Sequence, residues 1–186
     1  MPSKTARDLH PNDCYVCGTE NQHSLNVSVP FDIENGEVEF THHFQGFEKG
    51  APGKKRLVHG GAIAAIMDEV QGVLAHHVGH LVMTDQLHIR YHKGTVLAEP
   101  VKIQAIVTTV RKRRLYTRAT MHNEAGDLLV SSSAKWFLLP DRMIKKTFQE
   151  VGSDVEAPGF NFEMIEANRK RARQIRKQRK AKKSHQ

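Results

Sequence analysis

One segment restricts the fold more than any other. From Gly60 to about Val78, Ala, Ile, Met, Val and Leu crowd a helix-length stretch so densely that nearly every side of it is apolar. A helix of that kind must be wrapped by something, and its flanks supply the wrapping. Segments 24–33, 37–43, 81–92, 101–110, 115–122 and 128–138 carry β-branched residues and partial alternation, which predicts about six strands. "ENGE" at 34–37 and "NEAGD" at 123–127 are hairpin signals, and "RKRR" at 111–114 sits where another pair reverses, so the sheet should be largely antiparallel. The expected class is α+β, an antiparallel sheet around one central helix. Asp68 and Glu69 interrupt the apolar run well short of the ~18 apolar residues that a membrane span needs.

Length allows one domain with a real core and an appendage, but is short for two full domains. Residues 1–140 hold all the strand and helix signals. Residues 141–162 end in Gly and Pro and read as a connecting segment, and 163–186 read as a basic helical or disordered tail. The net charge of +8 resides in that tail: residues 163–186 hold ten Lys/Arg and two Glu, while residues 1–162 hold eighteen of each sign. Nothing in the charge of the body asks for nucleic acid. The opening "MPSKTARDLHPND" lacks the apolar region of a secretory signal, and two cysteines so close together are no disulfide framework. A cytoplasmic location is expected.

The chemistry starts at "HGG". Two glycines at the start of a helix leave backbone N–H groups and the helix dipole free to hold negative charge on an oxygen. Asp68 follows Gly61 by seven residues, two turns on, hence on the same face and roughly 10 Å along the axis. One substrate carbonyl cannot touch both groups of a single helix. A site using both needs Gly61 of one subunit and Asp68 of another, so a homodimer is part of the reading, with pairing of dimers into a homotetramer left open.

"CYVCG", "HGGAIAAIMDE", "MTDQLHIRYH" and "NEAGDLLVSSSAKWF", in that order over residues 14–138, resemble the hotdog-fold acyl-CoA thioesterases, in the PaaI-like branch of phenylacetyl-CoA thioesterase. The resemblance implies an antiparallel sheet wrapped around the central helix and two active sites across a dimer interface. It implies Asp68 as the catalytic carboxylate, general base or nucleophile, and the Gly61 amide, with Gly60, as the oxyanion site. Thr84, sixteen residues past Asp68, matches a hydroxyl that orients water. If alternation holds, Thr84 shares a strand face with Gln86, His88 and Arg90. Some members carry Asn or Gln six residues before the motif histidine; here that position is Gly53. Coenzyme A phosphates call for basic contacts, and Arg90, Lys102 and Arg113 are the candidates, ahead of Lys54, Lys55 and Arg56. No cofactor is implied.

Blander readings stand beside these. His59 is expected to fix the loop before the helix at the substrate-binding end, rather than to act in proton transfer. His10, Cys14, Cys17 and His23 in "HPNDCYVCGTENQH" offer four zinc ligands, but not at the spacing of a recognised module; packing of the N-terminal segment is favoured and no metal is assigned. His76 and His80 have no acidic third ligand in a metal-site pattern. The tail's positive charges, Arg169 to Lys183, are a solvated face or a contact for a polyanion or an anionic membrane, without aromatics for base stacking. The expected function is hydrolysis of an acyl-CoA thioester. The alternative is a hotdog protein that binds acyl-CoA without hydrolysing it and uses the tail for nucleic-acid binding or regulation.

Overall fold

The computed structural model describes residues 10, 12–30, 37–44, 49–51 (backbone alone), 56–143, 146, 166–167, 169–170, 173–174 and 177. Its elements run β1 (Glu37–His43), β2 (Lys49–Ala51), β3 (Leu57–Val58), α1 (Gly60–His77), β4 (Val82–Tyr91), β5 (Pro100–Arg111), β6 (Arg114–Asn123) and β7 (Leu128–Leu138). The helix begins where a cap permits. His59 holds an extended backbone and its Nδ1 accepts the Gly61 N–H at 2.9 Å, meeting one of the donors that every helix start leaves open. It ends at Gly79, whose φ of +85° suits glycine, with His80 N–H returned to the Ala75 carbonyl at 3.0 Å.

Among the described residues the main sheet has five strands in the order β1-β5-β6-β7-β4, every neighbouring pair antiparallel. β2 and β3 form a separate two-stranded pair. The β5–β6 reversal falls at "RKRR", with Arg111 opposite Arg114 and Lys112 at φ +53°. The β6–β7 reversal is the Asn123–Asp127 turn, closed by Asp127 N–H on Asn123 Oδ1 at 2.8 Å. The hairpin signal at 34–36 lies outside the described residues.

The predicted strand at 24–33 differs. Its alternation is real, since Leu25, Val27 and Val29 are buried between exposed Asn26 and Ser28. Over residues 24–29, however, the backbone forms no strand and only Pro30 makes an isolated bridge, while residues 31–33 lie outside the described residues. Leu25 N–H bonds to the Tyr15 carbonyl and Val27 N–H to that of Val16, and Asn26 takes φ +53°. Burial on one side created the pattern, while the hydrogen bonds went to the neighbouring CxxC turn.

The sheet packs against α1, which buries Ile63, Ile66, Met67, Val70, Val73 and Leu74 against inward residues such as Val101, Ile103, Met121 and Val130. Each large aliphatic buried this way contributes about 1.5–3 kcal/mol. One polar chain crosses this interface. Trp136 Nε1 donates to Thr117 Oγ1 (2.8 Å), Thr117 donates to Gln71 Oε1 (2.8 Å), and Gln71 Nε2 donates to Ser132 Oγ (2.9 Å) and the Met67 carbonyl (2.7 Å). Gln71 is 0% exposed and well partnered, so it fixes the rotation of the helix on the sheet at little desolvation cost.

Candidate functional site

Asp68 projects from the middle of α1 toward the edge strand β4. Thr84 of β4 donates its hydroxyl to the Asp68 carboxylate, at 3.1 Å from Oδ1 and 3.4 Å from Oδ2. Burial raises the Asp68 carboxyl above the ordinary range; the Thr84 hydrogen bond lowers it and neighbouring Glu69 raises it further. The carboxylate is thus half-buried, held by one hydroxyl, and more basic than one in water.

The expected strand face is corrected here. Thr84 does not share a face with Gln86, His88 and Arg90. The pairing of β4 with β7 shifts between Thr84 and Gln86: Thr84 opposes buried Trp136, whereas Gln86 opposes Lys135 and His88 opposes Ser133. Asp85 is the extra residue of a β-bulge, which turns the alternation over. It faces outward, 3.1 Å from Arg114 Nε and 3.0 Å from Lys135 Nζ. Thr84 therefore faces the helix with Leu87, Ile89 and Tyr91, and Gln86, His88 and Arg90 face away. A residue count alone carries no sign of such a bulge.

The helix start is the other candidate element. Tyr91 donates its hydroxyl to the Gly60 carbonyl at 2.8 Å, and a cleft of about 380 Å³ beside it is lined by Gly60, Ile63, Tyr91 and Lys93. A side chain at Gly60 would meet the Tyr91 hydroxyl at 3.5 Å. The Gly61 N–H is bonded to His59 Nδ1, so His59 caps the helix from an exposed position. Tyr91 escaped the sequence reading; its place on the inner face follows only once the bulge is known.

The basic candidates are not gathered at Asp68. Arg90 opposes Ser131 and Lys102 opposes His122, both pointing outward from the sheet. Their strands β4 and β5 stand three strand spacings apart, about 14 Å. Lys102 is engaged with Glu39 at 2.6 Å. Arg113 is exposed at the β5–β6 reversal. Arg56 is exposed, while Gly53, Lys54 and Lys55 lie outside the described residues. His76 and His80 belong to no metal-ligating group among the described residues. No helix there is long and apolar enough to cross a membrane.

Most of 141–162 and much of the tail lie outside the described residues; the tail positions described from 166 to 177 are helical. Arg169 binds Asp141 through both terminal nitrogens (3.1 and 2.7 Å) and donates its Nε to the Gly79 carbonyl at 2.9 Å.

An edge-stranded antiparallel sheet on one long helix, with a helix-borne carboxylate facing the sheet, defines a class, and comparison with known proteins agrees. The model of the thioesterase superfamily matches residues 56–130. Within that segment the chain is similar to thioesterase-superfamily proteins, and its antiparallel sheet on one central helix is the hotdog arrangement. It is 32% identical over 93 residues to acyl-coenzyme A thioesterase THEM4 of Rattus norvegicus, a match covering 50% of this chain and 39% of that one. The crystal structure of a thioesterase superfamily protein superposes with a TM-score of 0.61 at 31% identity, over 66% of this chain and 62% of that one. A hypothetical thioesterase from Streptococcus pneumoniae, solved with coenzyme A, shares the fold with a TM-score of 0.52 at 18% identity, over 57% of this chain and 84% of that one. The chain thus spans about two fifths of its rat relative's length.

Proposed function

We propose that this chain hydrolyses an acyl-CoA thioester to the free acid and CoA at a site built from Asp68 and Thr84 of one protomer and the Gly60–Gly61 helix start of another. The observation that carries this reading is the Thr84 hydroxyl on a half-buried carboxylate whose basicity burial has raised. Among relatives, variants of the Streptococcus pneumoniae thioesterase replace an aspartate and, separately, a threonine sixteen positions later. Asp68 and Thr84 have the same spacing.

As general base, Asp68 takes a proton from the water that attacks the thioester carbonyl. The negative charge moves to the carbonyl oxygen at the helix start, the C–S bond breaks, and the CoA sulfur takes the proton back from Asp68. As nucleophile, Asp68 forms an anhydride with release of CoA, and water then opens it. Thr84 holds the carboxylate in line for either course. The dimer follows from the separation of Gly61 and Asp68 along one helix, roughly 10 Å. The edge of β4, without a further strand among the described residues, supports it, with Met83 58% and Tyr91 50% exposed. Arg90, Lys102 and Arg113 are proposed contacts for CoA phosphates leaving the cleft around the sheet. The free thiols of Cys14 and Cys17 suit a reducing cytoplasm, and the 169–183 tail is proposed to meet polyanions or anionic membranes in a salt-sensitive way.

One observation favours a second reading, an acyl-CoA binder without turnover. The Gly61 N–H is already taken by His59, so the oxyanion donor is free only when that imidazole turns away. Release of free thiol from a panel of acyl-CoAs separates the two. Turnover that disappears on dilution to monomer supports the shared site; binding with no thiol release leaves the binder.

A further inference from the structure

Three residues of the N-terminal segment meet Glu69 on the side of α1 next to Asp68. The ligand atoms of His10, Cys14, Cys17 and Glu69 all lie within 4.8 Å of one another. His10 Nδ1 is 2.9 Å from Glu69 Oε1, 3.1 Å from Cys17 Sγ and 3.7 Å from Cys14 Sγ. One ring nitrogen carries at most one hydrogen, so it cannot donate to three such partners. Correspondingly, buried Glu69 Oε1 accepts no directed hydrogen bond although His10 is so near. A cation at the centre would engage all four lone pairs together. Tetrahedral zinc with bonds of ~2.0–2.3 Å sets its ligand atoms about 3.3–3.8 Å apart, close to the separations around His10.

The turn that carries the sulfurs is built for this. Gly18 N–H closes on the Cys14 carbonyl at 2.9 Å, and a Cβ at Gly18 would lie 2.4–2.5 Å from backbone atoms of Asn12 and Cys14. Only glycine fits. Tyr15 and Val16 accept backbone bonds from Leu25 and Val27, so the turn is braced by a buried segment. His23 is exposed and stands outside the group; Glu69 completes it instead.

We propose that His10, Cys14, Cys17 and Glu69 form a structural metal site of the zinc class that fastens the N-terminal segment to α1 beside Asp68. Four protein ligands leave no open position for catalysis, and two thiolates with an imidazole suit zinc rather than calcium or magnesium. Binding displaces the protons of both thiols into solution. The inference stands whether or not Asp68 hydrolyses a thioester.

The test uses the full chain produced in zinc-supplemented medium. Elemental analysis should find about one zinc per chain, and none in Cys14→Ser/Cys17→Ser. Chelation should lower the unfolding temperature of the unaltered chain and added zinc should restore it, with neither treatment moving the double variant. Cobalt(II) bound to the chelated protein should show thiolate-to-metal charge-transfer absorption, and Glu69→Gln, which keeps both sulfurs, should weaken cobalt affinity at least tenfold. Absence of both zinc and the cobalt absorption in the unaltered chain would overturn the proposal. So would zinc retained equally by the double variant.

Discussion

Asp68 and Gln71 stand three positions apart on α1 and solve the problem of a polar group in an apolar helix in opposite ways. Gln71 is fully buried, and both ends of its amide are matched by Ser132, Thr117 and the Met67 carbonyl. Asp68 is half-buried, meets Thr84, and its carboxyl is pushed up by burial. A satisfied buried group holds a fold in one arrangement; a poorly compensated carboxylate stores reactivity at a cost in stability. The first should govern stability and the second activity.

The largest effect expected is on turnover. Asp68→Asn keeps the shape but cannot accept a proton or attack, so thiol release should fall by about 10²-fold or more. Stability should hold or rise, because the raised carboxyl of Asp68 opposes folding once pH exceeds its ordinary value, and the amide removes that penalty. Loss of stability with turnover kept would reverse the roles assigned to the two positions. Gln71→Ala should show the opposite pattern. It leaves the Thr117 and Ser132 hydroxyls short of a partner, and chemical denaturation should reveal a loss of about 3 kcal/mol, with activity per folded molecule little changed. Thr84→Ala should cost less than Asp68→Asn, about tenfold or under, since water can take over part of a hydroxyl's role; a pH profile of turnover should show the Asp68 limb displaced upward, because the lost bond was the one lowering its carboxyl.

The smallest effect lies away from both residues. His42 is buried edge-on against Phe44, and desolvation, with a contribution from His43, lowers its pKa to about 4. A histidine held neutral by the fold binds its proton more readily unfolded, so its contribution is present above its ordinary value near 6.5 and is lost as pH falls toward 4. Thermal unfolding followed across that window should show a decline that His42→Phe flattens. An unchanged decline in the variant would place the sensitive group elsewhere.

Much of the frame was legible in the sequence because it follows from local periodicity. The helix beginning at Gly60 and the strands 37–43 and 128–138 were found at their observed bounds or nearly so, since each alternates or crowds apolar residues over its own length. The Asp68–Thr84 spacing was legible through the resemblance, and the structure brings the pair into contact. What escaped depended on residues far apart or on a single odd residue. Glu69 meeting His10 joins positions fifty-nine apart with no motif between them. The amide of Gln71 reads as an exception in an apolar run until Ser132 and Thr117 are seen opposite. Residues 24–29 alternate without forming a strand, because burial sets side-chain pattern and says nothing of where the backbone bonds go.

The Asp85 bulge governs which changes of length the chain tolerates. Asp85 and Gln86 together oppose Lys135, so one of them is surplus to the ladder. Deleting Asp85 would join Thr84 to Gln86 in regular alternation, with Thr84 still against Trp136 and still within reach of Asp68; the outward ion pairs with Arg114 and Lys135 would go. The same deletion at Ser133 in the unbroken part of β7 would invert every side chain on one side of the gap. The edge strand thus carries a slack residue beside the proposed reactive pair. Insertions and deletions should be absorbed there and refused one strand inward.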